Sequence, residues 1–499
     1  MPRLFEKGYI ADLQAINYSS ESRSDFGPGS VSYRPISNLT YFLDYSLFQA
    51  KPYGSHLINI LIHSANSILV YWIVNRLFSS CVLGLFAGLF FSLHPIQSEA
   101  VAVMSYRADI VAAFFVLYSF YFWVKFQEGG YLRKKYLGGA LAMYFFAVFS
   151  KESAVMLPFV ILFFDQLLAV PQLSLRARCK YYIGFVSILI FYLYLYFIVF
   201  PNSSLSLHWL GGSFIDHCLI MGRIWYGYLI NSLLPWTVKL IPGAYCPPAP
   251  MLISLVTAKI GIALIIFIAS VLLLWRNYKP VVFFLFWYGL FYLPVSNLIP
   301  IANPMAHRFM YLPSIGLLAG WAWVLHKAMN SHFLEKYSRH LSTMLHTAII
   351  AICVTCTLFL NGDWKSDFDV GYAWVKDYPT AYRGYAILGK VYFYAGHFKE
   401  AKKYLERSIQ LGDQTPSDVF NLGQCYRQLG ELQEAQALLK QVIDHNPDYA
   451  DPYFELAAIY YFQNNSRLEQ EMLEKGLALN PKKSMMYIRQ LRQLEIQRR

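Results

Sequence analysis

The chain has 499 residues, of which 56% are hydrophobic, 18% aromatic and only 14% charged, whereas soluble domains carry about 25% charged residues. This excludes an ordinary soluble enzyme and points to a protein that crosses a membrane many times. The net charge of +12 does not indicate a nucleic-acid partner, because the basic residues lie in short clusters between apolar runs rather than on one soluble face.

Residues 1–55 start without an apolar run or signal peptide, and their charges balance: Arg3, Lys7, Arg23, Arg34 and Lys51 against Glu6, Asp12, Glu21, Asp25 and Asp44. They read as an external loop with amphipathic helices, chiefly ISNLTYFLDYSLF after Tyr33-Arg34-Pro35. Arg34 there either snorkels to lipid headgroups or holds a phosphate.

Residues 56–361 read as a transmembrane domain. Spans are expected at 57–78, 108–125, 154–170, 181–200, 252–275, 280–299, 309–326 and 342–361. Shorter runs at 81–93 and 136–150 extend through weakly polar neighbours, which brings the count to about ten. The run 216–241 contains Arg223 and Lys239, its ends fall on one side, and it reads as re-entrant or interfacial. The basic clusters (Arg133, Lys134 and Lys135; Arg176, Arg178 and Lys180; Arg276 and Lys279; Lys336 and Arg339) place the loops near 76–80, 126–135, 171–180, 276–279 and 327–340 in the cytoplasm. Loops 94–107, 150–153, 201–215, 242–251 and 298–308 then face outside, with 1–55 and everything after 361. An external N-terminal segment lacking its own signal leads us to expect an anchor helix upstream of Met1.

Charges at membrane depth cost several kcal/mol unless they face a polar cavity. The stretch HPIQSEAVAVMSYRAD, 94–109, holds His94, Glu99, Arg107 and Asp109. If it is one helix started by Pro95, Glu99 and Arg107 share a face at i and i+8. They then form either a structural ion pair or the wall of an electropositive pocket. Asp109, in the first turn of the next span, also suits a helix N-terminus. Lys151 and Glu152 sit in a short turn between spans and mark either a membrane boundary or a site. In SNLIPIANPMAHRFMYLPS, 296–314, Arg308 precedes a span, where a guanidinium can grip a phosphate bidentately. Four basic residues on one face, with His94 and acids, point to an anionic lipid-linked substrate.

The sequence has no Walker loop, Rossmann fingerprint, His-Glu-x-x-His motif or serine nucleophile elbow. Asn38 and Asn202 lie in glycosylation sequons. The seven cysteines form no disulfide framework, and Cys353 and Cys356 read as small apolar filler.

From residue 362 the chain is more charged and periodic. Leu388-Gly389, Leu422-Gly423 and Leu456-Ala457 recur every 34 residues, with Tyr392, Tyr426 and Tyr460, then Gly396, Gly430 and Asn464. Pro447 and Pro481 close the second and third units. This is the tetratricopeptide signature, with repeats at 381–414, 415–448 and 449–482. Each unit buries its apolar face only against a neighbour, giving an external peptide-binding or spacer module on residues 362–499.

SYRPISNLTYFLDYSLF…HLINILIH, LHPIQSEAVAVMSYRADIVA, SKESAVMLP and SNLIPIANPMAHRFMYLPSIG, in that order before the repeats, resemble the transmembrane and tetratricopeptide repeat-containing mannosyltransferases. The resemblance covers nearly the whole chain. It implies an all-α, polytopic GT-C-like bundle followed by a tetratricopeptide solenoid. It also implies transfer of a sugar, typically mannose, from a polyprenyl-phosphate donor to protein hydroxyls on the external face. The matching motif positions are Tyr33-Arg34-Pro35; His94, Pro95, Glu99, Arg107 and Asp109; Lys151 and Glu152; and Arg308, where His307 replaces the family's acid. The implied mechanism is an inverting displacement, in which a carboxylate takes the acceptor proton and basic groups stabilise the leaving phosphate. Arg308, with Arg107 or Lys151, would contact the phosphate; Glu99 or Asp109 would orient the sugar; His94 would bond either. The family's acidic base lies in a first external loop, expected upstream of Met1, and neither Asp12 nor Asp25 matches it. No metal is implied, and no cofactor beyond the lipid-linked donor.

Two further readings stand beside the enzyme. One is a catalytically incomplete membrane scaffold whose repeats bind a partner protein. The other, a transporter, requires midplane charges that this sequence does not show. The setting would be a bacterial inner membrane with periplasmic repeats or the endoplasmic reticulum with lumenal repeats.

Overall fold

A computed structural model describes residues 33–49, 51–168, 175–199, 209–240, 254–299, 301–329 and 338–481, positions 211 and 302 apart. Asp12, Asp25, Asn202, Lys336 and the loop 242–251 lie outside that set. Among the described residues there is helix and no strand. Backbone contacts separate two compact units, one ending at Gly362 and one containing the residues from Asp363 onward.

In the first unit, α1 is Pro35–Phe48, α2 Pro52–Phe78, α3 Cys81–Leu93, α4 Ser98–Ala102, α5 Arg107–Glu128, α6 Lys134–Val148 and α7 Leu157–Leu167. Then follow α8 Leu175–Tyr194, α9 Phe214–Leu233, α10 Leu255–Leu274, α11 Lys279–Tyr292, α12 Tyr311–Met329 and α13 Ser338–Asp363. Among the described residues six helical stretches are long and apolar enough to cross a membrane: Pro52–Phe78, Met104–Glu128, Arg178–Val199, Leu255–Leu274, His307–Ala328 and Thr343–Asp363. Helix α3 and the segment Pro95–Ala102 are together apolar enough to cross but are bent by 49° at the break between them, the shape of a broken span or of a re-entrant loop. The break has a local cause. Proline removes a helical N–H and drives the residue before it out of the α region, and His94 sits at φ −73°, ψ 128°.

The other expected segments are helical but shorter: Lys279–Val295, α6 with 15 residues and α7 with 11. Of the stretch 216–241, α9 ends at Leu233, Leu234 is extended, and a 3-10 turn follows at Pro235–Thr237; α9 is not among the helices long and apolar enough to cross.

Small residues bring the helix backbones together, as expected where lipid offers no hydrophobic drive for association. Gly84 and Gly88 of α3 face α2: added Cβ atoms would lie 2.9 Å from the Tyr71 carbonyl oxygen and 3.0 Å from that of Ser67. At Gly316 in α12 an added Cβ would meet the Phe284 carbonyl oxygen of α11 at 2.2 Å. A buried polar knot ties four segments together. The His63 ring bonds the Tyr311 hydroxyl (2.6 Å) and donates to the Ser92 carbonyl (3.0 Å), while Asn66 Nδ2 donates to the Tyr311 oxygen (3.0 Å) and the Ile110 carbonyl (2.9 Å).

The second unit is a solenoid of helix pairs. α14 (Asp367–Asp377) packs on α15 (Tyr382–Tyr394), which pairs with α16 (Phe398–Gln410). The next pairs are α17 (Pro416–Gln428) with α18 (Leu432–His445) and α19 (Ala450–Phe462) with α20 (Ser466–Leu479). The column Gly396, Gly430 and Asn464 falls on the turn inside each pair, at φ 78°, 83° and 56°, the left-handed conformation that ends a helix most cheaply in glycine or asparagine. Gly389 is needed for close approach, since a Cβ there would sit 2.6 Å from Leu405. Between repeats, Lys390 Nζ lies 2.6 Å from Asp418, and Arg427 Nε 2.6 Å from Glu455.

Two predictions follow from this packing. Gly316→Val should cost about 1–3 kcal/mol by overpacking against a backbone atom, read as a lower thermal unfolding midpoint of the purified protein. Gly320→Ala, with nothing within 4 Å, should leave the midpoint unchanged. In the solenoid, burial pushes the Asp418 carboxyl up to about 6, with Lys390 opposing and Asp413 adding to the rise. The folded form then holds the proton more tightly than the unfolded chain, so local stability rises as pH falls from about 6 to 4. Hydrogen exchange of α17, corrected for intrinsic rates, should be slower at pH 5 than at pH 7, and Asp418→Asn should flatten that difference.

Candidate functional site

The segments carrying the sequence-derived site residues converge through four ion pairs, each joining loops or helix ends distant in sequence. Helix α1 docks first: Ile36 N donates to the Phe149 carbonyl (3.2 Å) and Ser37 Oγ to that of Ser150 (2.9 Å). This sets Arg34, just before α1, against Glu152. Arg34 Nε and Nη2 donate to the two carboxylate oxygens at 3.0 and 2.6 Å, a bidentate fork that stays partly exposed. Burial alone would raise the Glu152 carboxyl, but the Arg34 guanidinium and Lys151 hold it down at about 2.

Lys151 has an extended backbone that turns its side chain the other way, into a buried pair with Asp109. Burial lowers the Lys151 ammonium from its ordinary value, and the Asp109 carboxylate opposes this. The ammonium also lies 5.5 Å from the ring of Phe309, the neighbour of Arg308. Arg308 Nη1 bonds one oxygen of Glu99, and its backbone N–H donates to the other at 3.1 Å. Its guanidinium stacks on Tyr106, 3.9 Å from the ring centre.

Arg107 is fully buried. Nη2 lies 2.5 Å from Asp44, Nε donates to Asn59 Oδ1 at 2.6 Å, Nη2 also to the Ser55 carbonyl at 3.0 Å and Nη1 to that of Thr40 at 3.4 Å. Every nitrogen of this guanidinium is thus engaged by protein.

Two expectations are corrected here. Glu99 and Arg107 do not share a helix face or pair, because Val103 is extended (φ −90°, ψ 115°) and splits the stretch into α4, a 3-10 turn and α5. Nor are the basic residues an uncompensated electropositive wall, since Arg34, Arg107, Lys151 and Arg308 face Glu152, Asp44, Asp109 and Glu99 in turn.

The imidazoles are less complete. His94 Nδ1 accepts from Ile96 N at 3.2 Å, so the neutral ring carries its hydrogen on Nε2. That atom is buried without a partner among the described residues. His307 Nε2 donates to the Lys239 carbonyl at 3.0 Å, leaving Nδ1 an unpartnered acceptor. The turns holding them, Pro95–Gln97 and His307–Met310, pack against each other, and Gln97 Oε1 and Ser98 Oγ are likewise unpartnered. Sequence reasoning did not single out Asp44, Asn59 or Tyr106; the only available signal was an acid within the amphipathic FLDYSLF. Among the described residues no group of three or more His, Cys, Asp or Glu could hold a metal ion.

Bundle and repeats together define a multi-pass helical membrane protein carrying a tetratricopeptide solenoid. The family model for dolichyl-phosphate-mannose-protein mannosyltransferases matches residues 35–197, and tetratricopeptide models match 382–411 and 423–464. The chain is 25% identical over 520 residues to protein O-mannosyl-transferase TMTC3 of Mus musculus, covering 92% of this chain and 54% of that protein. It is 23% identical over 396 residues to protein O-mannosyl-transferase F38B6.6 of Caenorhabditis elegans, covering 76% and 54%. A 94-residue stretch is 39% identical to protein O-mannosyl-transferase tmtc2 of Xenopus laevis, covering 19% of this chain and 11% of that protein. The chain spans about half the length of the curated TMTC3 proteins it matches. Over most of its length the chain is similar to the curated TMTC3 proteins.

The pairs should differ sharply in weight. Asp44→Asn strands a fully buried guanidinium and should cost about 3–5 kcal/mol, whereas Glu152→Gln, at a partly exposed pair, should cost at most about 1 kcal/mol. Thermal unfolding of the two purified variants checks this; equal losses would refute the ranking.

Proposed function

We propose that this chain carries the donor site of a membrane glycosyltransferase. In this reading it moves mannose from a polyprenyl-phosphate carrier to serine or threonine hydroxyls of a protein held by the repeats. The observation that carries the proposal is the state of Arg308. Its Nη1 and backbone N–H are committed to Glu99 and its plane is fixed on Tyr106. Nε and Nη2 are the donors that remain to meet a phosphate.

Arg308 and Lys151, linked across Phe309, would stabilise the negative charge on the departing polyprenyl phosphate. The unpartnered His94 Nε2–H would donate to a phosphate oxygen or sugar hydroxyl. Glu99 and Asp109 would orient the sugar and hold the two cations in place. Arg34 and Glu152 would brace the turn bearing Lys151, and Arg107, with its nitrogens engaged inside the protein, would act as an anchor. A carboxylate base would take the acceptor proton as the hydroxyl attacks the anomeric carbon with inversion; none of the paired acids is assigned to that step. The membrane would be that of the endoplasmic reticulum or the bacterial inner membrane.

One observation favours a second reading, a non-catalytic membrane scaffold: all four cations already have carboxylate partners, as a purely structural shell requires. Donor binding separates the two without depending on the base. The purified chain should bind dolichyl-phosphate mannose, and Arg308→Ala should weaken binding and any transfer to a threonine peptide by about 10²-fold or more. A folded wild-type chain that binds no donor would favour the scaffold, and an Arg308→Ala variant with unchanged donor affinity would remove that residue from the site.

A further inference from the structure

A second site lies at the other end of α2. The rise of the helix puts it about 26 Å along the axis from Asn59, which holds Arg107. Here the last turns of α2 and α5 enclose a pocket of about 360 Å³, lined by Trp72, Asn75, Arg76, Tyr121, Lys125 and Glu128 among others. This is within the size range of small-molecule sites, about 300–1,000 Å³.

Both helices end here, so their unpaired carbonyls make the rim partly negative. Arg76 and Lys125 in the final turns answer that charge. Glu128 accepts from Arg76 Nε and, at 3.2 Å, from Lys125 Nζ. The three side chains therefore carry one net positive charge, and only Nε of the Arg76 guanidinium is engaged. The side chain is 60% exposed, and its two Nη groups offer the fork that grips phosphate oxygens.

The surroundings indicate where such a phosphate comes from. Trp72 stacks on Tyr121 with ring centres 5.5 Å apart, an aromatic pair typical of the membrane–water boundary. Below it on α2 the exposed residues Leu61, Ile68 and Trp72 (59%, 52% and 41%) recur at spacings of seven and four, one face of a helix. A ligand matching these features has apolar chains along that strip and a single negative charge at the pocket.

We propose that this pocket binds the headgroup of an anionic phospholipid with one phosphodiester. The phosphate sits on the Arg76 fork and Lys125, its acyl chains lie along Leu61, Ile68 and Trp72, and Glu128 sets the charge of the site. The adjoining Arg133, Lys134 and Lys135, all exposed, attract such lipids at longer range.

The test is native mass spectrometry of the full chain in detergent, titrated with phosphatidylglycerol or phosphatidylcholine. One phosphatidylglycerol should be retained at least about tenfold more tightly than phosphatidylcholine, and Arg76→Gln with Lys125→Gln should remove that preference. Glu128→Gln, which raises the net charge, should tighten phosphatidylglycerol binding and gives an answer even if the double variant does not fold. Equal retention of the two lipids, or unchanged binding in either variant, would overturn the proposal. So would displacement of the lipid by millimolar inorganic phosphate, which would make the site one for free phosphate.

Discussion

The architecture of the membrane unit depends on the cost of burying charge. An ion taken out of water is stable only with a counter-ion and hydrogen bonds to satisfy what remains. Arg107 is the extreme case, fully buried and bonded to Asp44, Asn59, Ser55 and Thr40. Those partners lie on α1 and α2 while Arg107 itself begins α5, so satisfying one guanidinium fixes how three segments meet. The Tyr41 hydroxyl, donating to the Met104 carbonyl at 2.9 Å, closes the same knot from the loop side. The other three pairs extend this logic, and together they give the loops at this end of the bundle a defined shape that apolar packing alone would leave free.

Electrical balance also changes what the cluster can do. A row of free cations would hold any anion, whereas paired cations present only the donors left over after pairing. Arg107 has little to offer a ligand; Arg308 has an edge held at a fixed angle by Glu99 and Tyr106. The two histidines differ from the ion pairs in kind: each has one ring nitrogen satisfied and the other buried without a partner. Buried polar atoms in that condition are costly, and here they lie on two turns that touch.

The fold was largely legible because its signals are local. Apolar runs of spanning length became helices at 52–78, 255–274 and 343–363, and Gly396, Gly430 and Asn464 mark the left-handed turns that their 34-residue spacing implies. Most residues of the candidate site were legible too, since charge between apolar runs stands out. Their pairing was not. Regular helical spacing suggested Glu99 with Arg107, but the extended Val103 breaks the register, and the actual partners come from the far side of the chain. Asp44 was hidden because an acid on an amphipathic helix reads as its solvated face. The length of α7 escaped as well, because hydropathy does not show that Glu152–Met156 forms a 3-10 turn before the helix starts.

The sequence distances within the pairs bear on how the molecule is made. Lys151 and Asp109 are 42 residues apart, Arg34 and Glu152 are 118, and Arg308 and Glu99 are 209. At synthesis rates of about 5–20 residues per second, Glu99 emerges about 10–40 s before its partner. Over that interval its carboxylate has to stay in water, at a lipid edge or against a chaperone, or take up a proton. The bent segment Pro95–Ala102 that carries it therefore gains its counter-ion only after Arg308 has been made.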